Sequence, residues 1–245
     1  RSLCSKVKAL RGSFQRQGYM KLSPGNEMTW NHLQEEIKRC RKCGALRLSG
    51  VKCPDARVPT IEPRAVKLLF ISEAPPLNSQ SYFFNERAND RLRERLFGIL
   101  QDDVRLPIAT LADFVAAGFY LLPTVKCPSA REAHNTAPGG SVIPLCADAH
   151  LSRELTYIKP AGICLLGRTA LRGFRALCEQ GHVRAQDASK LSRNVSEVAG
   201  TVVAAELTKT NHTVMVIPSY WPTRRHRKYH EIGEHIKLLM AAIDF

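Results

Sequence analysis

Residues 66–76 read Val-Lys-Leu-Leu-Phe-Ile-Ser-Glu-Ala-Pro-Pro, an apolar run that stops abruptly at a carboxylate and two prolines. Apolar runs of this length without polar alternation suit a strand buried on both faces, as in a parallel sheet. Three further segments have the same form: FYLLPTVKC from Phe119, AGICLLG from Ala161 and TVMVIPS from Thr213. Between them apolar residues recur at helical spacing over about 88–101, 145–158 and 169–180, and a last such stretch over 226–243 closes the chain. The alternation predicts an α/β protein: a three-layer α/β/α fold around a central, mostly parallel four-stranded sheet. Residues 181–212 are polar apart from Gly200-Thr-Val-Val-Ala-Ala-Glu-Leu207, which fits a hairpin with the last strand. Ligands of such sheets bind at the carboxyl ends of the strands. Three strand ends are chemically unusual here: residues 72–76 (SEAPP), 124–128 (TVKCP) and 217–219 (IPS).

Upstream of the first strand, Trp30, Leu33 and Ile37 recur at helical spacing behind Thr29, a residue type that caps helix N-termini, and this helix runs into Cys40. Residues 1–26 are basic, poor in large apolar residues and end in Ser-Pro-Gly-Asn, the composition of a flexible arm. With 245 residues, 44% of them hydrophobic, the chain is long enough for one sizeable core, so a single domain over 27–245 is expected behind that arm. No run of eighteen apolar residues and no secretory pattern occurs, which predicts a soluble, intracellular protein.

Thirty-six Lys and Arg against 22 Asp and Glu give a formal charge of +14. Such a surplus favours a polyanionic partner through phosphate neutralisation and counterion release, nucleic acid first; charge alone is equally compatible with a solvated tail. Eight cysteines in an intracellular chain suggest metal or redox chemistry rather than a disulfide framework. Cys40 and Cys43 form a C-x2-C pair, and Cys127 and Cys146 flank a long loop containing Pro and Gly. Four thiolates suit a [4Fe-4S] cluster or a tetrahedral zinc ion, and spacing does not choose between them. Cys53, in a Lys-Cys-Pro context like that of Cys127, is a possible substitute ligand, while Cys164 and Cys178 sit where a small buried thiol is expected and Cys4 lies in the arm.

In their order, Cys40 and Cys43, Ser72-Glu73-Ala74-Pro75-Pro76, Phe84-x-x-Arg87-Ala88, Lys126-Cys127, Cys146, Leu166-Gly167 and Ile217-Pro218-Ser219 resemble the motifs of the iron–sulfur uracil-DNA glycosylases, the thermophile type called family 4. The resemblance spans about residues 30–243. It implies that the four cysteines ligate a [4Fe-4S] cluster with a structural or DNA-positioning role. It also implies that Glu73 orients water or stabilises an oxocarbenium-like sugar, and that Phe84 stacks on an everted base. Tyr82 and Phe83 are neighbours able to take the stacking role. Ser72, Ala74, Pro75 and Asn85 would belong to the base pocket. The segment from Ser219 through Tyr220, Trp221, Arg224, Arg225, Arg227 and Lys228 would enter DNA, its cations on phosphates and its aromatics wedged into the gap left by the flipped nucleotide.

Two departures alter the expected substrate. The family asparagine that reads the Watson–Crick edge of uracil falls at Pro123, and the family histidine that donates to a uracil oxygen falls at Ile217. A pocket built to hydrogen-bond a base loses discrimination when those partners go. A bulkier or chemically modified pyrimidine, such as one from foreign DNA, is therefore expected, with Asn78, Asn85, Asn89, His212, Tyr220 and His226 as candidate replacements. The reading is a monofunctional DNA glycosylase, monomeric, that leaves an abasic site. An ordinary uracil-DNA glycosylase and a catalytically silent iron–sulfur or zinc DNA-binding module are the alternatives.

Overall fold

The computed structural model describes residues 29–131, 134–223 and 227–245, so the basic arm over 1–26 and the cations Arg224 and Arg225, with His226, fall outside the described residues. Helix α1 (Trp30–Lys38) begins as its sequence dictates. Thr29 Oγ1 accepts from the His32 backbone N–H at 3.2 Å, and Trp30, Leu33 and Ile37 turn one apolar face into the core. A short helix α2 (Lys42–Ala45) follows and buries Cys43.

The main sheet contains β1 (Leu68–Ser72), β2 (Phe119–Pro123), β5 (Gly162–Leu166), β6 (Val183–Ala185), β7 (Val203–Leu207) and β8 (His212–Ser219) in the order β2-β1-β5-β8-β7-β6. The first four in that order are mutually parallel, and they are the four apolar runs of the sequence. The sheet is nevertheless six-stranded and mixed rather than four-stranded. β7 pairs antiparallel with β8 as the hairpin reading of 200–207 requires, and β6 adds antiparallel to β7. The added pair was faint in sequence because β7 buries only alternate residues, whereas every residue of β1, β2 and β5 is buried. A separate two-stranded hairpin, β3 (Ala130–Arg131) with β4 (His134–Asn135), projects from the segment after β2.

Helices cover both sides of the strands. Helix α7 (Gly167–Glu179) leaves β5 without an intervening loop and packs on β1, β5 and β8; α9 (Glu231–Ala242) packs on β5 and β8. Helix α3 (Arg91–Gly98) runs into a π-helical turn over 99–103. Helix α4 (Leu111–Ala116), not foreseen, is started by a reciprocal capping box between Thr110 and Asp113. Helices α5 (Val142–Cys146) and α6 (Ser152–Ile158) are joined by a π-helical turn over 147–151, and α8 (Val195–Val198) is a single turn.

Most buried apolar side chains form one core, in which Phe70, Phe83, Phe97, Phe114 and Phe119 interlock with ring centroids 5.4–6.1 Å apart. Each such ring, fully buried, contributes roughly 1.5–3 kcal/mol. A second, smaller apolar cluster gathers Cys43, Val125, Val142, Ile143 and Cys146, with Leu48, Val51, Cys53, Ala74 and Leu145 packed against it. Cys43, Cys53 and Cys146 thus share a small core of their own beside the carboxyl ends of β1 and β2.

Candidate active site

The parallel pairing of β1 and β2 continues past the strand ends: Thr124 N donates to Ser72 O at 2.9 Å and Val125 N to Glu73 O at 3.0 Å. These two bonds fix the backbone of Glu73 against the segment that leads to Cys127. Above this edge lies a cavity of about 420 Å³, in the size range of small-molecule sites. Ser72, Glu73, Ala74, Pro75 and Pro123 line it, as the strand-end argument requires.

Glu73 is half-buried, and its Oε2 accepts from Thr169 Oγ1 at 2.6 Å. Thr169 is in the first turn of α7, so the carboxylate is held where helix N–H groups point and the helix dipole favours negative charge. Asp90 is a second carboxylate in the same lining, buried and capping α3 by accepting from Arg93 N at 2.7 Å. Burial pushes the Asp90 carboxyl above its ordinary range against the opposing pull of the Arg93 N–H and guanidinium groups. Asp90 was missed in the sequence, although its place three residues before Arg93 at a helix start was readable as a cap.

The aromatic wall differs from expectation. Phe84 is outside the cavity lining; its ring packs on Tyr82, Phe83 and Tyr120, with centroids 5.3–5.8 Å apart, while Tyr82 and Phe83 face the cavity. Asn85 also lies outside it, bonding through Nδ2 to Gln80 O at 3.2 Å. The Arg93 guanidinium clasps this loop by donating to the carbonyls of Phe83, Asn85 and Ala88. Ile217 is fully buried within β8 and does not reach the cavity. Asn78 and Asn89 do line it, whereas His212 is spent on Pro160 O at 2.9 Å.

Of the predicted DNA-entering segment, Trp221 lines the cavity and packs close to Gly167, where α7 begins. Ser219 is fully buried with its Oγ 2.9 Å from His235 Nδ1, and Tyr220 is buried beside the same histidine, so neither presents its side chain at the surface. Both belong to the strand end, where side chains pack under α9. Arg227 and Lys228 are exposed, Lys228 pairing with Glu231 at 2.6 Å.

A wall of the cavity also comes from the loop between Cys127 and Cys146, through Ser129, Asn135 and Thr136. Asn135 Oδ1 accepts from Leu77 N at 2.8 Å, which ties hairpin β3–β4 to the loop after Glu73.

Cys43, Cys127 and Cys146 are buried and Cys40 and Cys53 half-buried. Burial pushes the thiols of Cys43 up to about 11 and of Cys127 and Cys146 up to about 12. The same thiols feel one another: Cys43 the fields of Cys53 and Cys40, Cys127 those of Cys53, Cys146 and Cys43. Cys53 is therefore a neighbour of both Cys43 and Cys127. Its segment is hydrogen-bonded alongside theirs, Lys52 N to Pro128 O and Arg57 N to Lys126 O, each at 2.8 Å. Among the described residues no group of three or more His, Cys, Asp or Glu is disposed to hold a metal ion. The four predicted ligands thus lie in one neighbourhood without forming a compact coordination set, and Cys53 is nearer its middle than Cys40. The donor chemistry alone, soft thiols beside an apolar nest, is of the kind that suits a sulfur-ligated centre.

A carboxylate held at the carboxyl edge of the parallel strands and an aromatic wall thus share one cavity. A sequence model of the Uracil DNA glycosylase superfamily matches residues 58–241, and the chain belongs to that superfamily, whose members are DNA glycosylases. The matched span begins after Cys53, so it contains Cys127 and Cys146 but none of the N-terminal thiols. None of the curated proteins matches the chain. No helix among the described residues is long and apolar enough to cross a membrane.

Proposed function

We propose that this protein is a monofunctional DNA glycosylase that releases a modified pyrimidine, everted into the cavity beside Glu73, and leaves an abasic site. The observation that carries the reading is the Glu73–Thr169 contact at the edge of a base-sized cavity whose lining lacks the uracil-reading asparagine, Pro123 standing in its place. Eversion supplies the base; Phe83 offers the stacking surface, in place of Phe84. As the C1′–N bond breaks, the bonding pair leaves with the base, and a water whose proton Glu73 accepts adds to C1′. Trp221 borders the opening, and Arg227 and Lys228 with the undescribed Arg224 and Arg225 supply phosphate contacts.

Cys43, Cys127 and Cys146, with Cys53 or Cys40, would supply the thiolates that hold a [4Fe-4S] cluster, whose iron atoms would link these segments and so pin the Cys127–Cys146 loop. The hydrolysis itself moves no electrons. The test is incubation of the protein with single- and double-stranded oligonucleotides carrying a panel of modified bases, followed by alkali. Alkali-dependent breaks at a modified pyrimidine, abolished in Glu73→Gln, are expected. Equal release of plain uracil would establish the ordinary substrate, and no break at any base would sink the enzyme reading.

A further inference from the structure

Two polar side chains of the cavity lining are unsatisfied among the described residues. Tyr82 and Ser129 are 7% and 1% exposed, both line the cavity, and neither hydroxyl has a hydrogen-bond partner among those residues. A buried hydroxyl without a partner destabilises the fold, and such a cost is retained where a ligand removes it. Burial also holds the Tyr82 phenol protonated, so it stands as a donor. Ser72 and Asp90 are further buried polar groups in the lining, and of these only Asp90 carries a carboxylate.

These groups have a defined hydrogen-bonding character. An ionised carboxylate only accepts, whereas a hydroxyl can donate. The exocyclic amino group of a cytosine-type ring donates, and its N3 and O2 accept. A uracil-type ring offers carbonyls on both sides of N3–H, setting an acceptor against an acceptor at a carboxylate. An amide, which both donates and accepts, would serve uracil; at the strand end this chain has Pro123, with no side-chain polar atom.

We propose that Asp90, with the hydroxyls of Tyr82 and Ser129, reads the Watson–Crick edge of the everted base and selects an amino-bearing, ring-substituted pyrimidine of the cytosine series over its uracil-series counterpart. The proposal rests on the glycosylase reading of the cavity and names its substrate class. Asp90 accepts from the amino group, and the two hydroxyls donate to N3 and O2. Asn135 and Thr136 line the remaining space, where a ring substituent fits.

The test compares base release from matched oligonucleotides: 5-methyl-, 5-hydroxymethyl- and 5-carboxylcytosine, each against the uracil with the same substituent. Wild type, Asp90→Asn and Ser129→Ala are compared. Asparagine is as good a helix cap as aspartate, so Asp90→Asn keeps α3 and changes only the character of the edge reader. Wild type is expected to prefer at least one amino-bearing base over its partner by roughly 100-fold, Asp90→Asn to shrink that ratio at least about tenfold, and Ser129→Ala to slow release of the amino-bearing base. Release of the uracil-series base at an equal rate, or a ratio unchanged in Asp90→Asn, overturns the assignment while leaving the glycosylase intact. No release of any base by wild type overturns both.

Discussion

Thr169 Oγ1 donates to Glu73 Oε2 at 2.6 Å, joining the first turn of α7 to the loop after β1. A hydrogen bond to a charged group is worth about 1.5–3 kcal/mol. If it holds Glu73 in its working position, Thr169→Val lowers kcat roughly 10- to 100-fold with little change in unfolding temperature, and Thr169→Ser restores it. Single-turnover base release with each variant measures this, and an unaltered Thr169→Val rate removes the positioning role.

Lys126 and Glu154 form an ion pair at 2.5 Å with side chains only 2% and 1% exposed. Lys126 also donates to Pro123 O at 2.6 Å, and Gln34 Nε2 reaches Glu154 Oε1 at 3.4 Å, so the pair binds β2, α1 and α6 together. Removing one partner strands a buried charge. Lys126→Met is expected to cost about 3–5 kcal/mol in urea unfolding, and the double variant Lys126→Met/Glu154→Leu to recover most of it.

Gly173 faces Thr124 so closely that an added Cβ would stand 2.3 Å from Thr124 Cγ2. Gly173→Ala therefore forces α7 away from the strand-end segment and is expected to cost roughly 1–3 kcal/mol. Thr124→Ser removes that methyl group, and the double variant regains stability. Denaturant midpoints of the two single variants and the double show whether the losses fail to add.

His150 is buried, and burial together with the charges of Lys126, Lys42 and Arg153 drives its pKa down to about 4, Glu36 pulling the other way. The unfolded chain, with an ordinary imidazole near 6.5, takes up the proton first as pH falls. Stability from the neutral ring is full above about pH 6.5 and declines toward pH 4, by up to about 3 kcal/mol. Unfolding free energies over this interval are expected to flatten in His150→Phe relative to wild type.

For the thiols, the expected result is a purified protein with iron and sulfide and broad visible absorption. Cys53, unlike Cys40, packs against the apolar cluster that contains Cys43 and Cys146, which makes Cys53→Ser the more damaging of the two replacements. Iron content of Cys40→Ser and Cys53→Ser, measured side by side, decides which thiol completes the set; zinc without iron would reverse the cluster assignment.

The parallel core was legible because four runs are apolar without interruption, and burial on both faces is what such runs mean. Glu73 was legible because a carboxylate directly after such a run has no reason to be there for packing. Phe84 was placed in the pocket one residue too far along: in a loop, neighbouring aromatics alternate direction according to backbone turns that sequence does not encode. Asp90 and Ser129 were hidden for another reason. Both are common loop and cap residues, and only the folding of the Cys127–Cys146 loop over the strand ends brings them to one cavity. Ile217 matched by order, yet β8 turns its side chain into the core.

Hairpin β3–β4 belongs to no layer of the sheet, yet with its flanks it furnishes Ser129, Asn135 and Thr136. That separates what the molecule needs to stand from what it needs to choose. A graft of residues 129–136 from a relative would exchange one side of the chamber while leaving every rung of the six-stranded ladder untouched.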